Sequence, residues 1–254
     1  MQHIILITGA TSGFGKACAK EFAAHGWRLI LCGRRKERLD ALAGELSDVP
    51  VHVAVFDVRD NQMVQKMCKE LPAEFGRVDI LLNNAGLAMG MQPAQTADLS
   101  DWETMVDTNI KGLMYMTRAI LPGMVERRQG HVINIGSVAG NWPYPGGNTY
   151  GGTKAFVKQF SMNLRADLHG TGVRVTNIEP GLAETEFSVV RFHGDKDRAD
   201  SVYAGMTPLS AADIAETIYW VASRPPHVNI NAIEIMPVAQ SWGPFPIHRE
   251  ETEK

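Results

Sequence analysis

The stretch Ile4-Ile5-Leu6-Ile7-Thr8-Gly9-Ala10-Thr11-Ser12-Gly13-Phe14-Gly15 decides the fold. An apolar, β-branched run, Ile4–Ile7, breaks into a glycine-rich turn, and Phe14–His25 continues with apolar residues at helical spacing. A strand that turns through glycines straight into a helix is the opening unit of a sheet covered by helices. Glycines at Gly9, Gly13 and Gly15 let the backbone approach a pyrophosphate at the helix N-terminus, where free N–H groups and the dipole favour anions. The spacing is not Gly-x-Gly-x-x-Gly. It is not a P-loop either: Lys16 comes one residue late, and Ala17 stands where Ser or Thr would hold magnesium.

Outward from this turn, strand-like runs alternate with helix-like segments. The strands are Leu29–Cys32, Val51–Phe56, Val78–Leu82, His131–Ile135, Val173–Ile178 and Ile230–Ile235. Between the early strands, helices are read over Lys36–Leu46 and Asn61–Leu71. Ser100, with Glu103 three residues on, forms a capping box for a long helix to about Glu126 that Pro122 kinks or ends. Further helices run from about Tyr150 to Leu168 and from a Ser210 cap to about Ser223. Repeated β–α alternation reads as α/β: a single-domain, Rossmann-type doubly wound parallel sheet of about seven strands, helices on both faces. Residues 1–254 form one domain, with a substrate loop at about 187–207 and an interaction tail at about 237–254.

Composition narrows the class. The chain has 254 residues, enough for a sizeable core, and nothing in its net charge of -3 suggests an electrostatic nucleic-acid binder. Three dispersed cysteines, Cys18, Cys32 and Cys68, fit a reducing cytoplasm better than a disulfide framework or a zinc site. No signal peptide or membrane-length apolar run is read, so the expectation is a cytoplasmic protein without a metal.

Ligands of open α/β sheets bind beyond the carboxyl ends of the strands. At those ends stand the glycine turn, then Gly33-Arg34-Arg35, Asp57, Asn83-Asn84-Ala85-Gly86, Ser137, and Glu179-Pro180-Gly181. The second strand end selects the nucleotide. An acidic residue there binds the 2′-hydroxyl of NAD, whereas arginines hold a 2′-phosphate through bidentate bonds. Arg34 and Arg35 therefore point to NADP. Tyr150 and Lys154, four apart, share a helix face. An ammonium beside a phenol favours the phenolate, and a fall from about 10 to about 7 takes about 4 kcal/mol.

Taken in order, Thr8-Gly9-x-x-x-Gly13-x-Gly15, Asn83–Gly86, Asn109, Ser137, Tyr150-x-x-x-Lys154 and Pro180-Gly181 resemble the short-chain dehydrogenase/reductase family over nearly the whole chain. Asn83–Gly90, Trp102–Arg127, Ile133–Ser137, Trp142–Lys154 and Glu186–Phe192 are similar to its NADP-dependent 3-hydroxy acid dehydrogenases. Those enzymes are also described as serine or L-allo-threonine dehydrogenases, and as malonic semialdehyde reductases in reverse. The resemblance implies that Tyr150 is the general acid/base, with Lys154 lowering its pKa and binding the nicotinamide ribose. Ser137 would hold the substrate oxygen, and the Asn109 carbonyl, in a distorted helix, would hold a water linking Lys154 to solvent. By position, Gly9, Ala10, Thr11, Ser12, Gly13, Phe14 and Gly15 cradle the pyrophosphate, and Asp57 and Val58 meet the adenine. Asn84, Ala85 and Gly86 line its ribose. Pro180, Gly181, Leu182 and Thr185 wrap the carboxamide.

The polar stretch after Phe187 reads as a solvated loop or a lid. Arg191, set among Val189, Val190 and Phe192, is the candidate for a substrate carboxylate, with Lys196 second. Trp142, Tyr144, Gly146 and Gly147 would shape the opposite wall. Gly151 and Gly152, poor helix formers, either admit the nicotinamide or mark a first turn. Met114, Tyr115, Met116, Phe156 and Phe160 lie on helices that pair between subunits in the resembled family, which implies a homotetramer. Trp242, Phe245 and Ile247 in the tail are read as docking on a neighbouring subunit. The alternatives are a reductase of bulkier ketones, such as 3-oxoacyl thioesters, and a non-catalytic NADP(H) sensor.

Overall fold

The computed structural model describes residues 3–242. Its strands and helices alternate: β1 (Ile4–Thr8), α1 (Gly13–Ala24), β2 (Arg28–Gly33), α2 (Lys36–Glu45), β3 (Val51–Val55) and α3 (Asn61–Lys69). Then come β4 (Ile80–Asn83), α4 (Leu99–Val106), α5 (Leu113–Glu126), β5 (Gly130–Ile135), α6 (Asn148–Asp167) and β6 (Val173–Pro180). The last described elements are α7 (Glu186–Arg191), α8 (Lys196–Ser201), α9 (Ala211–Ala222) and β7 (Ala232–Ile235). The seven strands pair in parallel in the order β3-β2-β1-β4-β5-β6-β7.

Continuous apolar strands suit a sheet buried on both faces, and the side-chain alternation sorts them. Ile5, Ile7, Leu29, Leu31, Ile80 and Leu82 pack with Phe22 of α1 and Ile214 and Ile218 of α9. Ile4, Leu6, Ile30, Cys32 and Leu81 point the other way, onto Met116, Ile120 and Met124 of α5 and Leu164 of α6. β1 leads out to β2 on one side and neighbours β4 on the other, so the order reverses there and opens a crevice above their carboxyl ends.

Two helix readings change. The cap of α4 is Asp98, whose carboxylate accepts from the Ser100 N–H at 2.8 Å. Helix formation starts at Leu99, so Ser100 falls inside and the Ser100–Glu103 box does not form. The long helix runs through Pro122 to Glu126, but between α4 and α5 it widens into a π-helical turn over Asp107–Gly112. Ser210 does cap α9, with Asp213 completing a capping box. The segment after Thr185 folds as the two short helices α7 and α8 rather than as an open loop.

Candidate active site

The glycine turn is built for close approach. Gly9 has φ +67°, and a Cβ at Gly15 would lie 2.3 Å from the Gly9 carbonyl oxygen. Ala10 donates its N–H to the Cys32 carbonyl, tying the turn to β2. Phe14 packs into the core below. On the other side, the Thr8 hydroxyl accepts from the N–H groups of Asn84 and Ala85, while Asn84 Nδ2 donates to the carbonyls of Thr8 and Gly9. Ser12 stands at the N-cap of α1 without capping it, and no acidic residue lies in the first turn. The N–H groups of a helix start are left for an anion, as a pyrophosphate cradle requires.

The basic end lies beside it. Arg35 Nε and Nη2 donate to Thr11 Oγ1, and Nη2 also to Ser12 Oγ at 3.0 Å. Arg34 is 62 % exposed at its side chain and only 3.6 Å from Asp57 Oδ2, so it remains available to a phosphate. Arg38, which the sequence reading passed over, joins them: both it and Arg35 reach the Glu186 carboxylate, Arg38 at 3.0 Å and Arg35 at 3.4 Å. Arg38 follows Arg35 by three residues at the start of α2, a helical spacing that could have indicated it. Glu186 had no local signal.

Ser137, Tyr150 and Lys154 come together at the ends of β5 and α6. Lys154 sits beside Gly86 and Asn109: a Cβ on Gly86 would be 3.3 Å from Asn109 Oδ1 and 3.5 Å from Lys154 Nζ. Burial pushes the Tyr150 phenol up to about 12, against a Ser137 hydrogen bond and the Arg191 charge, which both pull it down. Lys154 is lowered to about 8 by burial, and its Nζ donates to the Ile135 carbonyl at 2.8 Å. Arg191 adds a second cation at the phenol, its guanidinium carbon 5.1 Å from the Tyr150 ring centroid, while Lys154 Nζ lies 5.7 Å from it. Asn109 sits in the π-helical turn, so the anticipated helix irregularity is present. Its side chain pairs with both Leu87 backbone groups and with Thr153 Oγ1.

Arg191 reaches the same centre from α7. Its guanidinium carbon lies 5.1 Å from the Tyr150 ring centroid and 5.4 Å from that of Phe187. Nη2 donates to Tyr144 Oη at 2.7 Å, and Nε is buried without a partner among the described residues. Lys196, the second candidate, is exposed on α8.

The remaining expected contacts are partly taken. Asp57 is held by the Arg59 guanidinium at 2.7–3.1 Å, and Val58 packs under Gly112. Thr185 caps α7 by accepting from the Phe187 N–H and stands against Gly13. Leu182 gives its N–H to Gln240 Oε1 at 2.7 Å, and a Cβ on Gly181 would strike that same oxygen. The tail thus begins by folding onto its own chain, where Trp242 also packs against Trp142 at 5.8 Å. Phe245 and Ile247 lie outside the described residues. Among the described residues no group of three His, Cys, Asp or Glu could hold a metal, and no helix is long and apolar enough to cross a membrane. Gly151 serves packing: its Cβ would be 2.9 Å from the Ala139 carbonyl, whereas Gly152 faces open space.

The family model for short chain dehydrogenase matches residues 3–195. The chain belongs to the short-chain dehydrogenase family. Among its short-chain dehydrogenase relatives, an NADP-dependent 3-hydroxy acid dehydrogenase of Salmonella typhi is 58% identical over 247 residues, covering 97% of this chain and 99% of that protein. A sulfoacetaldehyde reductase of Chromohalobacter salexigens is 57% identical over 252 residues, 98% of this chain and all of that one. A solved structure described as the closed form of serine dehydrogenase complexed with NADP+ superposes with a TM-score of 0.95 at 56% identity. It covers 97% of this chain and 100% of that chain.

Proposed function

We propose that this short-chain dehydrogenase is an NADP-dependent oxidoreductase. It oxidises small 3-hydroxy acids such as serine, L-allo-threonine, 3-hydroxyisobutyrate and 3-hydroxypropionate, and reduces 3-oxo acids such as malonic semialdehyde in reverse. The uncapped start of α1, the close Gly9–Gly15 backbone and the exposed Arg34 and Arg35 suit a dinucleotide with a 2′-phosphate. When bound, its nicotinamide supplies or accepts the hydride. The protein's own residues handle the rest. Ser137 and Tyr150 hold the substrate oxygen, and Tyr150 gives or takes its proton. Burial favours the protonated phenol that donates to a nascent alkoxide in reduction, and the Ser137 hydrogen bond and the Arg191 charge, which pull it down, favour the phenolate that accepts a proton in oxidation. Lys154 would hold the ribose hydroxyls of the bound dinucleotide, and Asn109 ties the loop after β4 to α6 behind it.

The observation that carries the substrate class is Arg191. A buried Nε–H without a partner among the described residues, beside the acid/base, is a charge-assisted donor suited to a carboxylate. That charge in the pocket also disfavours long, uncharged ketones. Losing such a bond costs about 1.5–3 kcal/mol, roughly 10- to 150-fold. Arg191→Ala should therefore raise KM for 3-hydroxy acids by that factor and leave small neutral alcohols unaffected. An unchanged KM would remove the assignment.

A second reading has support in the sulfoacetaldehyde reductase relative. A guanidinium pairs with a sulfonate as readily as with a carboxylate, so 2-sulfonated aldehydes belong in the same assay panel. The exposed Met114 and Met162, with Phe156 stacked on Phe160 at 5.6 Å, support a homotetramer paired through α5 and α6.

A further inference from the structure

α7 lies across the rim like a strap. At its far end the Arg191 carbonyl accepts from the Gly90 N–H at 2.9 Å, and His193 Nε2 lies 3.1 Å from the buried Asp101 carboxylate. At its near end Thr185 abuts Gly13 of the glycine turn, and Glu186 reaches the basic residues at the end of β2. Both oxygens of Glu186 lie 3.0 Å from Arg38 Nη1, and Oε2 is 3.4 Å from Arg35 Nη1. One carboxylate thus joins the helix that carries Arg191 to the arginines suited to a nucleotide 2′-phosphate.

We propose that Glu186 and the 2′-phosphate of the cofactor are alternative anions for the Arg35–Arg38 pair, so that Glu186 tunes cofactor discrimination and the phosphate unlatches the first turn of α7. A phosphate carries more charge and more acceptor oxygens than a carboxylate, so it wins the guanidinium groups. Two anions cannot share them without mutual repulsion. A nucleotide lacking the 2′-phosphate leaves the latch closed. Because Glu186 and its partners are about half exposed, solvent and salt weaken the effect, and the expected changes are a few-fold.

The inference rests on the NADP reading, and binding measurements separate the two. At low ionic strength, Glu186→Gln should bind NADPH about threefold more tightly while its NADH affinity stays unchanged. Limited trypsin digestion gives a readout apart from turnover, since Lys196 and Arg198 lie on exposed α8 just beyond the strap. Adenosine 2′,5′-bisphosphate, which carries no nicotinamide, should speed cleavage there in the wild-type protein, whereas adenosine 5′-phosphate should not. In Glu186→Gln the cleavage should be fast with either. Equal effects of the two nucleotides on the wild type, or weaker NADPH binding by Glu186→Gln, would overturn the proposal while leaving the NADP reading intact. A wild-type preference for NADH over NADPH would remove both.

Discussion

At Tyr150 and Lys154, burial outweighs mutual attraction. Each is displaced toward its neutral form, the phenol up and the ammonium down, because both charges lose water on folding. Lys154 has a consequence that can be measured without substrate. Between about pH 8 and the ordinary lysine value of about 10.5, the unfolded chain holds a proton on Lys154 that the folded chain has released. Stability rises with pH wherever the unfolded state binds more protons. Relative to Lys154→Met, the cofactor-free wild type should therefore gain stability across that window, by up to about 3 kcal/mol at its upper end. Denaturant titrations at stepped pH would read it, and a flat difference would show that Lys154 is charged in the fold.

At the scale of an element, the start of α6 shows how glycine serves contact rather than freedom. Gly140 and Gly151 each face the backbone of the other's segment: a Cβ on Gly140 would be 2.8 Å from the Lys154 carbonyl carbon, and one on Gly151 would be 2.9 Å from the Ala139 oxygen. The catalytic helix can thereby lie against the turn that follows Ser137. Gly152, one residue on, meets nothing within 4 Å. Gly151→Ala should destabilise by about 1–3 kcal/mol through overpacking, while Gly152→Ala should stabilise by up to about 1 kcal/mol through helix propensity. Urea unfolding of the two variants gives opposite signs if the contact is as described. The π-helical turn at Asp107–Gly112 works similarly. It brings Asn109 to Leu87 and Thr153, linking the loop after β4 to α6.

For the whole molecule, the parallel sheet sets where chemistry collects. The crevice between β1 and β4 takes the glycine turn, and β5 and β6 deliver Ser137 and Pro180 to the same rim. Opposite demands act on the outer surface of α5 and α6. Met116 is fully buried in this chain, whereas Met114 and Met162 are 37% and 57% exposed, apolar area left uncovered by the described residues. If that surface pairs subunits, Met162→Glu should shift the sedimenting species from tetramer toward smaller forms with helix content unchanged. A wild-type protein sedimenting as a stable monomer would remove the tetramer.

The sequence by itself determined the sheet and the rim. Strand interiors such as Ile4–Ile7 and Leu29–Cys32 are apolar on both faces, and the turns after them carry small or polar residues, so periodicity and glycine placement suffice. It also supplied Ser137, Tyr150, Lys154 and Arg191, which the fold brings together. It misplaced the cap of α4 because Asp98 and Ser100 are both good capping residues, and only the backbone path chooses between them. Tertiary structure alone decided that Arg191 joins Lys154 beside Tyr150, that Gln240 reaches Leu182 from 58 residues away, and that Glu186 reaches Arg38 from 148 residues away. Local pattern records what a segment buries. It does not record which distant charge arrives beside it, and at this site those arrivals set the electrostatics.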